Sequence, residues 1–222
     1  MDAITLLKND HKTVERLFKQ FEKADKAGDD ETKSSVVDAI IEELSVHAAI
    51  EEQEFYPAVR EALPTVEDEV LEGLEEHHIV KWTLSELDGM DPSHERFDAK
   101  VTVLIESVRH HVEEEEGDLF PQIRQALGRK RLGEIGDAME EAKKTAPTRP
   151  HPKAPDTPPG NIAANKAAGV LDRARTGAKR GAAKAKDKAK TKTETAQEKT
   201  ETAKVKAAVG KAKGKAKVKA KA

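Results

Sequence analysis

Two eleven-residue stretches constrain this chain more than anything else in it: His47 to Pro57 and His111 to Pro121. Each opens on a histidine, carries Glu-Glu four and five residues later, and closes on an aromatic residue followed by proline. In a helix, positions i and i+4 share a face, so His47 projects with Glu51 and His111 with Glu115. A neutral imidazole and a carboxylate one turn apart form a chelating pair for a metal such as iron, manganese or zinc. The flanking sequence repeats too: Asp10, His11 and Val14 correspond to Glu76, His77 and Val80. Each half is therefore a helix with one inward histidine, followed by a helix with His-x3-Glu.

The apolar periodicity places these motifs. A first helix from about Asp2, its N-cap, to about Ala27 turns Ile4, Leu7, His11, Val14, Phe18 and Phe21 inward. A second, from about Glu31 to Ala62, turns in Val37, Ile40, Leu44, His47, Glu51 and Ala58, and Pro57 should kink it. A third, from Val66 to Leu87, uses Val70, Gly73 or Leu74, His77, Val80, Leu84 and Leu87. A fourth, from about Ser93 to Leu127, uses Phe97, Val101, Leu104, Val108, His111 and Glu115. A short fifth segment with Leu132, Ile135 and Met139 caps the assembly. Short turns rich in Gly, Pro and Asp join the four long helices, which predicts an all-α fold: an antiparallel up-down-up-down four-helix bundle with a short extra C-terminal helix and a disordered basic tail.

A lone inward histidine is usually a hydrogen-bonded core residue. Four such histidines and two glutamates in equivalent places are not explained that way, since a buried carboxylate without a partner costs several kcal/mol. The candidate metal ligands are His11, His47, Glu51, His77, His111 and Glu115. One zinc ion needs four ligands. Six nitrogen and oxygen ligands suit two ions bridged by the two carboxylates, an arrangement common in helical bundles. His78 and His110 sit about 100° off the inward line and read as rim residues. Glu113, Glu114 and Glu116 read as a solvated face. Tyr56 and Trp82, the single Tyr and single Trp, read as packing residues able to donate electrons to an oxidising metal. Nothing supports Ser/His/Asp catalysis or a phosphate-binding glycine loop.

These motifs resemble the hemerythrin-like, HHE cation-binding family from Asp2 to about Leu127. The resemblance rests on Asp10-His11, on His47-x3-Glu51 followed by Tyr56-Pro57, on Glu76-His77-His78, and on His110-His111 with Glu115 followed by Phe120-Pro121. It implies a four-helix bundle holding two iron ions, oxo- or hydroxo-bridged, that bind dioxygen or related small ligands. It carries His11, His47, Glu51, His77 and His111 over as terminal or bridging ligands, with Glu115 as the second bridge. One departure stands out. Oxygen-carrying members have His-x3-His in the third helix, whereas here His77 is followed four residues later by Lys81. The fourth helix fits either His111-x3-Glu115 or His110-x4-Glu115, and the internal repeat favours His111.

Charge divides the chain. Residues 1–146 carry 18 Lys+Arg and 36 Asp+Glu, while residues 147–222 carry 21 and 6, so a formal charge of −3 conceals an acidic half and a basic half. The expected organisation is a bundle over 1–146, a Pro-rich linker over 147–160, and a disordered Lys/Ala-rich basic tail over 161–222. That tail resembles those of linker histones and some bacterial nucleoid proteins. Without aromatic residues it offers no stacking platform, so duplex DNA or RNA phosphates are the expected target, with the acidic bundle as a competitor. There is no cysteine, no apolar run of membrane-spanning length and no basic-then-apolar leader, which suggests a cytoplasmic location, nucleoid-associated if the tail binds DNA.

Three functions compete on this reading. The first is a di-iron protein that binds or senses dioxygen, nitric oxide or peroxide. The second is an enzyme that decomposes peroxide or oxidises iron at the same site. The third is a structural nucleoid protein whose bundle is vestigial or zinc-stabilised.

Overall fold

The computed structural model describes residues 1–178. The helices follow the expected order: α1 (Ala3–Ala27), α2 (Asp30–Ile50), α3 (Tyr56–Ala62), α4 (Glu67–Leu87), α5 (Phe97–Glu114) and α6 (Phe120–Lys143). Asp2 caps α1 by accepting from the Thr5 amide, and Asp29 caps α2 by accepting from the Thr32 amide, each at 3.0 Å. The fourth long helix starts at Phe97 rather than near Ser93, because Asp91 captures the Ser93 amide and hydroxyl in a turn.

Two wide turns interrupt the helices that carry His-x3-Glu. Residues Glu51–Phe55 and Glu115–Leu119 form π-helical segments, here π1 and π2. The Tyr56 amide reaches the Glu51 carbonyl, and the Phe120 amide reaches that of Glu115. Proline explains the pattern: Pro57 and Pro121 have no N–H for the α-ladder and are accommodated at the first turn of α3 and α6. Each wide turn advances the buried face by one residue. Phe55, Tyr56 and Val59 are buried in one half, and Leu119, Phe120 and Ile123 in the other. The inward position expected at Ala58 is therefore taken by Val59.

Gly128, at φ 67° and ψ 172°, breaks α6 into two rods. This ends the fourth bundle helix near Leu127, as the sequence indicates. Leu132, Ile135 and Met139 of the second rod close one end of the bundle against Ile4, Leu7 and Ile50. A second apolar cluster, built on Phe18, Phe21, Ile40, Leu84 and Phe97, fills the other end. The inward histidines lie between these two apolar clusters.

The chain beyond the bundle differs from the expected linker. The compact unit runs from Met1 to Arg173, and residues 160–178 are helical. Arg149 reaches Asp38 at 2.8 Å and Asp88 at 3.2 Å. Asp172 accepts from the Thr148 and Arg149 amides at 3.0 Å, and the buried Asn161 donates to the Glu52 carbonyl at 3.0 Å. These buried polar side chains supply partners that the Pro-rich composition did not reveal, so the boundary expected at 146/147 is not where the chain divides. The rest of the predicted basic tail, 179–222, lies outside the described residues. No helix among the described residues is long and apolar enough to cross a membrane. Trp82, expected to pack, is exposed.

Candidate metal centre

All six candidate residues are buried and meet in one layer. Glu51 Oε2 lies 3.1 Å from His47 Nε2, on its own helix, and 3.3 Å from His77 Nε2, on α4. Glu115 Oε2 mirrors it, 3.7 Å from His111 Nε2 on its own helix and 3.4 Å from His11 Nε2 on α1. His77 and His111 approach each other Nε2 to Nε2 at 3.3 Å. Two overlapping groups result, each with ligand-type atoms within 4.8 Å of one another: His11, His47, Glu51 and Glu115, and Glu51, His77 and His111.

Behind each imidazole stands a carboxylate. His11 Nδ1 is 2.9 Å from Glu116, His77 Nδ1 is 3.2 Å from Glu52, and His111 Nδ1 is 2.6 Å from Glu76. His47 Nδ1 faces Asp10 at 3.8 Å, close enough for charge but too long for a hydrogen bond. A proton held on Nδ1 by such a carboxylate leaves the Nε2 lone pair aimed at the centre and makes it a better ligand. Sequence reasoning missed all four carboxylates and assigned Glu116 to a solvated face. A signal was present, because these acids obey the same repeat: Asp10 with Glu76, and Glu52 with Glu116.

The electrostatics show what the layer lacks. His11 Nε2, both oxygens of Glu51 and Glu115 Oε2 are buried without a hydrogen-bond partner. Burial, then the charge of Glu115, pushes the Glu51 carboxyl well above the usual range. Burial also pushes Glu115 up, but the charge of His111 and the close approach of the His11 imidazole outweigh it and hold this carboxyl at about 2. Burial holds His47 neutral, at about 4. Two neighbouring buried carboxyls resist ionising together without added positive charge, and the burden falls on Glu51. A cation would satisfy every orphaned atom at once. The donor set of imidazole nitrogen and carboxylate oxygen fits iron, manganese or zinc.

The hemerythrin HHE cation-binding domain profile matches residues 2–123. The chain belongs to the hemerythrin HHE family. An uncharacterized hemerythrin-like protein of Schizosaccharomyces pombe is 28% identical over 161 residues, covering 72% of this chain and 79% of that protein. A protein of Nostoc sp. named as a DNA nickase is 27% identical over 143 residues, covering 64% of this chain but only 39% of that protein. Among solved structures, a hemerythrin HHE cation-binding domain-containing protein from Mycobacterium kansasii superposes with a TM-score of 0.55 at 23% identity, covering 65% of this chain and 86% of that one. That structure shares the fold.

Within this hemerythrin-type bundle the departure at Lys81 has a structural outcome. The Lys81 ammonium is buried and bonds both oxygens of Glu52, at 2.8 and 2.9 Å, rather than facing the centre. Tyr56 is more than packing: its hydroxyl donates to Glu115 Oε1 at 3.0 Å. Burial and the charges of Glu115 and Glu51 push the phenol well above its ordinary range, so it stays a donor. His78 is exposed and outside the layer. His110 is exposed as well, 3.3 Å from Glu114.

Proposed function

We propose that this chain is a non-haem di-iron protein that binds or senses dioxygen, nitric oxide or peroxide. His11 and His47 would hold one ion, His77 and His111 the other, with Glu51 and Glu115 between them. The observation that carries this reading is the convergence of four imidazoles and two carboxylates, with orphaned buried atoms, in two overlapping groups that share Glu51. Iron held there would supply a reversible one-electron change. The protein supplies the rest. The carboxylates behind the imidazoles fix their orientation, and the two apolar clusters exclude bulk water. A cavity of about 20 Å³ borders the four histidines and is otherwise walled by apolar residues such as Val14, Leu44, Val80 and Val108. It has room for one water-sized or diatomic guest. Metal analysis with optical spectra of oxidised and reduced protein tests the proposal, and a chain that takes zinc alone when iron is supplied would refute it.

A second reading, peroxide breakdown or iron oxidation at the same centre, is favoured by Lys81. It stands one turn after His77 and is tied to Glu52, and the His77 and His111 side gathers three ligand groups against four on the His11 and His47 side. Steady-state consumption of peroxide or oxygenated Fe(II) separates turnover from binding. Residues 179–222, with 16 Lys+Arg against four Asp+Glu, supply the charge for sequence-independent association with nucleic-acid phosphates. The test is a gel shift across a salt series, with truncation after Ala178 expected to abolish binding.

A further inference from the structure

A second set of ligand-type atoms lies outside the centre. Glu76 on α4 and His110 and Glu114 on α5 each offer one atom within 4.8 Å of the others. His110 Nε2 stands 3.3 Å from Glu114 Oε1. Alone, that contact is an ordinary helix pair four residues apart. Glu76 makes it more, because the same side chain accepts from His111 Nδ1 at 2.6 Å and so links the trio to the centre.

A cavity of about 110 Å³ is bordered by two of the trio, Glu76 and Glu114. Glu69, Glu72, Glu76, Glu114 and Asp118 line it, and no Lys or Arg does. It reaches His111, Tyr56 and Glu115, and Glu115 is 3% exposed with its Oε2 lacking a hydrogen-bond partner. Gly73 keeps the wall clear: a Cβ there would sit 3.0 Å from the Tyr56 hydroxyl oxygen and 3.5 Å from His111 Cε1. A cleft lined by one sign of charge concentrates counter-ions and speeds their arrival. One imidazole and two carboxylates can hold a divalent transition metal, and with His110 exposed and Glu76 and Glu114 half-buried the site stays open enough to release it.

We propose that Glu76, His110 and Glu114 form a transit site for a divalent transition-metal cation, which passes from it along the acidic cavity to His111 and Glu115. Only the destination rests on the di-iron reading. The outer site stands on its own residues.

The experiment uses the full chain stripped of metal. Co(II) uptake without oxygen is followed by visible absorption in wild type, in the double variant His110→Gln, Glu114→Gln, and in Glu113→Gln, which removes a neighbouring exposed charge outside the trio. The double variant should load about tenfold more slowly and reach the same final stoichiometry of Co(II) retained after gel filtration, which strips weakly held metal, with Glu113→Gln close to wild type. A rate within twofold of wild type overturns the proposal, as does an equal slowing by Glu113→Gln. A lower final stoichiometry also overturns it, by making the trio part of the centre. A second measurement separates the outer site from the inner one. Glu51→Ala should still bind one weak Mn(II) by electron paramagnetic resonance titration, and the added pair His110→Gln, Glu114→Gln should abolish it. Wild type that retains no Co(II) after gel filtration while Glu51→Ala still holds this weak Mn(II) would sink the di-iron reading and leave the outer site standing. Loss of the Mn(II) signal in Glu51→Ala itself would sink the outer site.

Discussion

The two halves of the bundle present the same chemistry inward and different surroundings outward. In one, His11 is backed by Glu116, which pairs with Lys8 at 3.1 Å, both side chains about a third exposed. In the other, His77 is backed by Glu52, which pairs with Lys81 at 2.8 Å, the side chains 4% and 11% exposed. The repeat equivalent of Lys81 is Glu15, which pairs at the surface with Lys19 and Arg109. The aromatic positions differ as well. Phe120 stacks near His11 at 6.0 Å, whereas Tyr56 turns a hydroxyl onto Glu115. Asn161 adds a further cover over Glu52 on the Lys81 side alone. The repeat thus preserves the inward nitrogen and carboxylate set, and asymmetry enters through the groups that hold it.

Removing the shared element should have the largest effect. Metal bound to the folded chain at a thousandfold excess over its Kd stabilises it by about 4 kcal/mol. Glu51→Ala should abolish that gain in the thermal melt, while Glu113→Ala keeps it. Equal loss in both variants would show that Glu51 has no special place in the layer.

Next comes the sealed pair against the open one. Lys81→Met leaves the Glu52 carboxylate buried without its cation and should destabilise the metal-free protein by about 3 kcal/mol. Lys8→Met breaks an exposed pair and should change it by less than about 1 kcal/mol. Urea melts of the two variants decide it, and similar values would erase the distinction between the halves.

A smaller effect concerns pH. In the metal-free protein, burial and the charge of Glu115 raise Glu51 above 4.5. Burial tends to lower His11 and His111, but neighbouring carboxylates outweigh it and raise both above 6.5. Above pH 6.5 the folded form therefore holds protons that the unfolded chain has lost, and its stability falls as pH rises, by at most about 1.4 kcal/mol per unit for each group. Between about 4.5 and 6.5 the neutral His47, lowered to about 4, offsets Glu51. Metal reverses the slope, because the folded ligands then carry no protons while unfolded histidines still bind them. Melts at pH 6.5 and 8 with and without metal should diverge in opposite directions; parallel curves would count against the proton inventory. The smallest effect is expected from Tyr56→Phe, which makes the two halves more alike and should cost about 1 kcal/mol in the metal-free melt.

Much of the centre was legible in the sequence because helical spacing alone places His47 with Glu51 and His111 with Glu115 on one face, and the repeat supplies His11 and His77. The one-residue advance at the wide turns was not, since proline marks a disturbance without saying how the ladder is rebuilt, so Ala58 stood where Val59 is found. The carboxylates behind the imidazoles escaped because each belongs to a different helix from the histidine it serves, and periodicity reads one helix at a time. Residues 147–173 escaped for another reason: their proline content describes an extended chain equally well whether it is solvated or pinned. Only contacts such as Asn161 to Glu52 separate the two.

The central claim is that the layer of four histidines and two glutamates holds two iron ions. Iron per chain, measured on protein reconstituted with Fe(II) and freed of loosely bound metal, tests it most directly when paired with the same measurement on Glu51→Ala. The account predicts about two irons in the wild-type chain, ligand-to-iron absorption on oxidation, and loss of iron in the variant. One zinc and no iron, or two irons retained after Glu51→Ala, would contradict it.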